Sequence, residues 1–308
     1  MKKIRYGLSL ALIWMVASCG SGEKLSSSGF QDGGGKRIVP KMEWDKDSIA
    51  LVRAEWKETK LGHGAVSRSA QVQLWGTVQG ISIVSYPERA FKTAVYQAAG
   101  METTSNLAQK VGADFAINGS YFNMKTGAPC TFVMVDKQVM GQTTAAEEEL
   151  RVNGAIVMNA PQHASKWTTD VMFAASGDST SLQNHYTSAL AAGPVLISDG
   201  KIPAFPSGDF YTGRHPRSLI GKTRSGDVMM IVIDGRSAGN AVGTTIGETA
   251  YVARILGLRD ALNLDGGGSS TLWTKKQGVV SHPSDNNAYD HSGERKVPNI
   301  VYAYFVGR

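Results

Sequence analysis

The chain has 308 residues, 42% of them hydrophobic and 19% charged, which describes an ordinary folded domain whose core needs no disulfide staple. Its formal charge of +6 falls by three once Lys2, Lys3 and Arg5 are set aside as part of a leader. What remains is a mild excess with no polybasic block, so nucleic acid is excluded as a partner class.

Lys2, Lys3 and Arg5 precede a short apolar run, Leu8 to Val16, that is too short to span a bilayer. Val16-Ala17-Ser18-Cys19 then follows the pattern of a bacterial lipobox. Residues 1–19 therefore read as a lipoprotein signal peptide. The expected mature chain starts at a lipidated Cys19, tethered to the cell envelope at the outer membrane or cell surface. Residues 20–45, with Ser26-Ser27-Ser28 and Gly33-Gly34-Gly35, read as a flexible tether, and 46–308 as one folded domain. If Cys19 carries lipid, Cys130 stands alone and no internal disulfide forms. Following Pro129, it is expected to be a small buried hydrophobe. No CxxC or HExxH pattern occurs, so no zinc site is assigned and no cofactor is required by the sequence.

Short apolar runs dominate the rest. Val72–Trp75 and Ile81–Val84 predict two strands around a Gly-containing turn. A helix is predicted over Thr103–Val111, capped by Thr104 or Ser105, with Gly112 as its stop. The strand Asp114–Ile117 follows, then strands at Gly154–Asn159, Gly193–Ser198 and Val228–Asp234. Thr245 and Glu248 form a capping box for a second helix that ends at Gly257. A polar loop, Lys275–Lys296, precedes a last strand, Ile300–Val306. Many strands and few helices predict an α+β fold, a mixed, largely β-sheet single domain with flanking helices and its site at strand ends.

Three strands end in a short polar side chain beside glycine: Ile117-Asn118-Gly119-Ser120, Ile233-Asp234-Gly235-Arg236 and Leu264-Asp265-Gly266-Gly267-Gly268-Ser269. A rigid strand fixes such a side chain while the glycine leaves space for a ligand. Consecutive glycines are costly unless the backbone needs positive φ or must approach something closely. A cationic segment, Arg214 to Lys222, is extended because Pro216 keeps His215 out of the helical region. Its Arg217 offers the planar fork that suits phosphate or carboxylate.

In this order, with Gly193-Pro194-Val195-Leu196 and Pro216-Arg217-Ser218-Leu219-Ile220-Gly221, these motifs resemble the phosphodiester glycosidase family from about residue 60 to the C-terminus. The resemblance implies hydrolysis of a sugar-1-phosphodiester, of a GlcNAc-1-phosphodiester type or in an envelope or host glycan, to free sugar and phosphomonoester. It implies that Asp265 and then Asp234 face the sugar cation or activate water, that Arg217 stabilises the leaving phosphate, and that Asn118 orients oxygens. Ser120, Lys222, Arg236, Gly266, Gly267, Gly268, Ser269 and Arg295 are the expected substrate-binding residues, with Tyr121 or Trp273 able to stack on sugar. Two other readings stand beside it. Asp234, Asp265 and Asn118 are hard ligands for Mg²⁺ or Ca²⁺ in a metal-dependent phosphodiesterase, or the chain is a non-catalytic glycan-binding lipoprotein.

Overall fold

The computed structural model describes residues 45–159, 168–173 and 179–307. Residues 1–44, with the expected leader, Cys19 and all but the last residue of the expected tether, lie outside the described residues. The compact unit begins at Lys46. Its elements are α1 (Lys46–Val52), β1 (Lys57–Gly62), β2 (Ala65–Leu74), β3 (Thr77–Pro87), β4 (Phe91–Thr103), α2 (Thr104–Lys110), β5 (Phe115–Asn118), β6 (Val133–Val135), β7 (Gln138–Gly141) and α3 (Ala145–Leu150). Then come β8 (Gly154–Asn159), β9 (Thr168–Phe173), α4 (Ser179–His185), β10 (Ser188–Ala192), β11 (Val195–Ile197), α5 (Asp209–Thr212), β12 (Arg217–Thr223) and β13 (Asp227–Ile233). The chain closes with α6 (Ile246–Ile255), β14 (Leu258–Asn263), a 3₁₀ turn at Gly267–Ser269, β15 (Leu272–Thr274), β16 (Gly278–Val279) and β17 (Lys296–Phe305).

The strands form three antiparallel sheets. One has seven strands in the order β1-β2-β3-β13-β12-β14-β11; two have five, β7-β6-β10-β8-β9 and β16-β15-β5-β17-β4. Alternation along each strand explains how they stack. On β13, Val228, Met230 and Val232 enter a core shared by all three sheets. Its Ile231 and Ile233 point the other way, into a second core covered by α1, α5 and α6. In the same way Leu107 and Ala108 of α2 cover the outer face of the β5 sheet, and Leu182 of α4 that of the β10 sheet. The fold is thus a mixed, largely β domain with its helices on the outside.

Local sequence accounts for the ends of these elements. The β2–β3 hairpin turns at Trp75-Gly76, both with positive φ (50° and 74°), the conformation a tight hairpin requires. Thr103, rather than Thr104 or Ser105, caps α2, because its hydroxyl accepts from Asn106 N. Thr245 and Glu248 make a complete capping box on α6. The cationic segment forms a strand in the middle of the seven-stranded sheet, between β13 and β14.

Candidate active site

β13 and β14 end at the same edge of the seven-stranded sheet, and β12 begins there between them. Ile233 pairs with Arg217 and Leu219 with Asn263. Asp234 and Asp265 therefore leave the sheet two strands apart, about 10 Å at ordinary strand spacing. The end of β5, from a different sheet, is fastened to this edge: Asp265 N donates to Gly119 O at 3.0 Å.

Asn118 is the fastener. It is buried completely. Its Nδ2 donates to Asp265 O at 2.6 Å, while its Oδ1 accepts from Ser218 Oγ at 2.7 Å and Thr271 N at 3.2 Å. A carboxamide engaged on both ends inside the core has no capacity left for sugar hydroxyls. Asn118 places Asp265 instead. Ser120 is also spent: its hydroxyl donates to Ala191 O at 2.6 Å and its N–H to Asn299 Oδ1 at 2.8 Å. Tyr121 is buried, and its hydroxyl donates to Gly193 O at 2.6 Å. Trp273 packs among the buried residues beneath α2. Neither ring is free to stack on a sugar.

Asp265 is unlike these. No salt bridge holds it among the described residues, and its carboxyl is pushed up to about 6. Burial raises it; the Ser269 hydroxyl, the charges of Arg151 and Arg295, and the Gly266 N–H pull it down by less. Arg151 was not legible as a site residue. It follows α3, pairs with Glu147 four residues earlier at 2.7 Å, and lays its guanidinium 3.6 Å above the Tyr121 ring. The sequence carried no signal for it, because the ring that holds it lies in the loop after β5, far away along the chain. Cys130 is half-buried near the same charges, and burial raises its thiol.

Arg217 is buried, with Nε donating to Thr244 O and Nη2 to Phe210 O and Gly213 O, each at 2.9 Å. No carboxylate pairs with it among the described residues, and burial lowers it to about 10. It ties together the loops around the rim and leaves positive potential beneath them. The same charge, with that of Arg236, adds to burial in lowering His215. Lys222 is not brought to the rim. It lies at the opposite end of β12, where it pairs with Glu88 at 2.9 Å and donates to Thr169 O at 3.1 Å.

Arg236 and Arg295 do converge on the glycines. A methyl group at Gly267 would come 2.9 Å from Arg236 Nη2, and one at Gly268 would overlap Asp285 and Arg295. Arg236 is exposed, holds a left-handed φ of 61°, and makes no side-chain hydrogen bond among the described residues. Arg295 forms a two-pronged pair with Asp285 at 2.8 and 2.7 Å. The Gly267 N–H is spent on Pro216 O at 2.9 Å, whereas the Gly268 N–H takes no acceptor among the described residues. The hydroxyl of Ser269 is turned to the Asp265 carboxyl, and those of Ser270 and Thr271 are buried without hydrogen-bond partners among the described residues. The Arg236 guanidinium, the Arg295–Asp285 pair and one N–H without an acceptor among the described residues lie beside the half-buried Asp265 carboxyl, a seat for an anion with a carboxylate next to it.

Asp234 is 1% exposed and heavily engaged. Its Oδ1 accepts from His282 N at 2.9 Å, and its Oδ2 lies 2.8 Å from His282 Nδ1 and 3.5 Å from the Tyr289 hydroxyl. A carboxylate so occupied does not face a substrate.

The phosphodiester glycosidase family pattern matches residues 111–304. The chain belongs to that family. Among solved structures it is similar to a hypothetical protein from Synechocystis, with a TM-score of 0.59, 18% identity, and coverage of 81% of this chain and 64% of that one. It is equally similar, with a TM-score of 0.59 and 16% identity, to the zebrafish N-acetylglucosamine-1-phosphodiester alpha-N-acetylglucosaminidase catalytic domain auto-inhibited by its pro-peptide. That match covers 82% of this chain and 88% of the zebrafish one. At these identities the likeness is one of fold. No curated protein matches the sequence.

Proposed function

We propose that this protein hydrolyses the glycosidic bond of a sugar-1-phosphodiester, releasing free sugar and a phosphomonoester. One observation carries the reading: a half-buried carboxyl without an ion pair among the described residues, Asp265, stands beside glycines on which Arg236 and Arg295 converge. The substrate has the same two-part character. Its phosphate is already a weak base and leaves most easily onto fixed positive charge, which Arg236, Arg295 and the Gly268 N–H supply. Its C1 develops oxocarbenium character and calls for a negative charge held close, which Asp265 supplies. Arg217 adds potential from beneath, and Asn118 holds Asp265 in place. The name of the zebrafish neighbour supports N-acetylglucosamine as the first sugar to try.

The direct test is incubation of the full chain with a GlcNAc-1-phosphodiester in excess chelator. Free GlcNAc and phosphomonoester should appear, and Asp265→Asn should abolish nearly all of both. Activity lost with the chelator and restored by Mg²⁺ or Ca²⁺ would favour a metal-dependent phosphodiesterase instead. No release under either condition would leave only glycan binding. We further propose that the protein is held at the envelope by lipid on Cys19. Cys19→Ala should then leave an unlipidated precursor, and a mature form still bound firmly to membrane would overturn that assignment.

A further inference from the structure

The proposed reaction still lacks a group to take the proton of the attacking water. Asp265 faces the sugar cation, and the arginines face the phosphate. We infer that His282 is a catalytic residue of this reaction, accepting that proton at Nε2 while Asp234 holds the ring and stabilises the imidazolium. The inference rests on the proposed function and completes it.

The geometry has four parts. Asp234 offers only acceptors, so the 2.8 Å contact requires His282 Nδ1 to donate its N–H. That fixes the tautomer and leaves Nε2 with a lone pair. The ring is held face-on by Tyr289, with centroids 3.9 Å apart and planes 7° from parallel. The side chain is 23% exposed, and Nε2 has no hydrogen-bond partner among the described residues.

The dyad also borders the anion seat. Two residues after Asp234 comes Arg236, whose guanidinium meets Gly267; three residues after His282 comes Asp285, which meets Gly268. His291 anchors the loop by donating from Nδ1 to Ser281 O at 2.7 Å. The step balances as follows. A lone pair of water oxygen forms the bond to C1, and the C1–O pair departs with the phosphate as phosphomonoester. The water proton passes to Nε2, and the imidazolium later returns it to solvent. This is the triad arrangement of buried carboxylate, oriented imidazole and reacting oxygen, with water in place of a side-chain nucleophile.

The test uses the full chain and a GlcNAc-1-phosphodiester. His282→Ala should lower kcat about a hundredfold, the range for a positioned acid–base group, with KM changed by no more than about twofold. Added imidazole should restore a substantial part of kcat, which loss of a structural contact would not allow. His282→Asn sets an amide N–H where Nδ1 stands, keeps the bond to Asp234 and guards against misfolding; it should be as slow as the alanine variant but gain nothing from imidazole. An active wild type whose folded His282→Asn variant keeps its kcat would overturn this inference alone, as would a folded His282→Ala variant that imidazole fails to revive. A wild type that releases no sugar would overturn the proposed function and this inference together.

Discussion

In the proposed reaction Asp265 serves chemistry at a cost to folding. Its carboxyl rises from 3.8 to about 6 because burial disfavours the charged form. The sign follows from linkage: below 3.8 the group is protonated in both states, and stability is lost as pH rises through about 6. That shift corresponds to at most about 3 kcal/mol. Asp265→Asn should therefore melt at a higher temperature than wild type near about pH 7.5, with the gain vanishing near about pH 3.5. The same substitution should lower kcat about a hundredfold or more. Thermal melts at the two pH values and steady-state kinetics check both. A variant that is slow but no more stable would mean that the carboxylate is well solvated.

Asn118 makes the opposite case. Asn118→Ala strands the Thr271 N–H, the Ser218 hydroxyl and the Asp265 carbonyl inside the core. Each unsatisfied group costs about 1–3 kcal/mol. Denaturant unfolding should show a loss of about 3 kcal/mol or more, and any activity lost should track misplacement of Asp265 rather than weaker sugar binding.

At the level of elements, the segment between β16 and β17 matters most. It delivers His282, Asp285 and Arg295 to an edge formed by other strands. Arg295→Ala should lower kcat/KM about a hundredfold by removing a donor from the departing phosphate. Arg295→Lys should recover only part of that, because the planar fork is lost. Kinetics on the two variants decides the point, and equal rates for Lys and Arg would mean that charge alone is needed.

How much of this was legible depended on the range of the forces involved. The capping box of α6 uses residues three apart, so Thr245 and Glu248 announced it. Strand ends at Asn118, Asp234 and Asp265 were marked by an apolar run meeting glycine. Roles were harder. Asp234 and Asp265 look alike in sequence, and only the arrival of His282 distinguishes them. Arg217 reads as a phosphate fork, but its donors go to three backbone carbonyls. Lys222 sits in the same strand, yet a strand places its two ends far apart, and Glu88 claims it. Arg151 depends on an aromatic ring from the loop after β5. Pairings of this kind are decided by tertiary packing.

At the scale of the whole molecule, three sheets share one core, and the site lies where two of them are fastened at their edges. The phosphate seat and the carboxylate thus belong to a rigid frame, while the loop carrying His282 closes one side. Asp265 should contribute to the acid limb of activity. If Asp265 must be ionised to face the sugar cation, kcat should fall as pH drops through about 6. The limb should change in the residual activity of Asp265→Asn. A limb unchanged in that variant would assign it to another group.

The central claim is that the bond broken is the one between C1 and oxygen. Hydrolysis of a GlcNAc-1-phosphodiester in ¹⁸O water, followed by mass spectrometry of both products, tests it most directly. Attack at carbon puts the label in the C1 hydroxyl of the released sugar, which is the predicted result. Label in the phosphomonoester would mean attack at phosphorus, and would contradict the account even with the substrate correctly named.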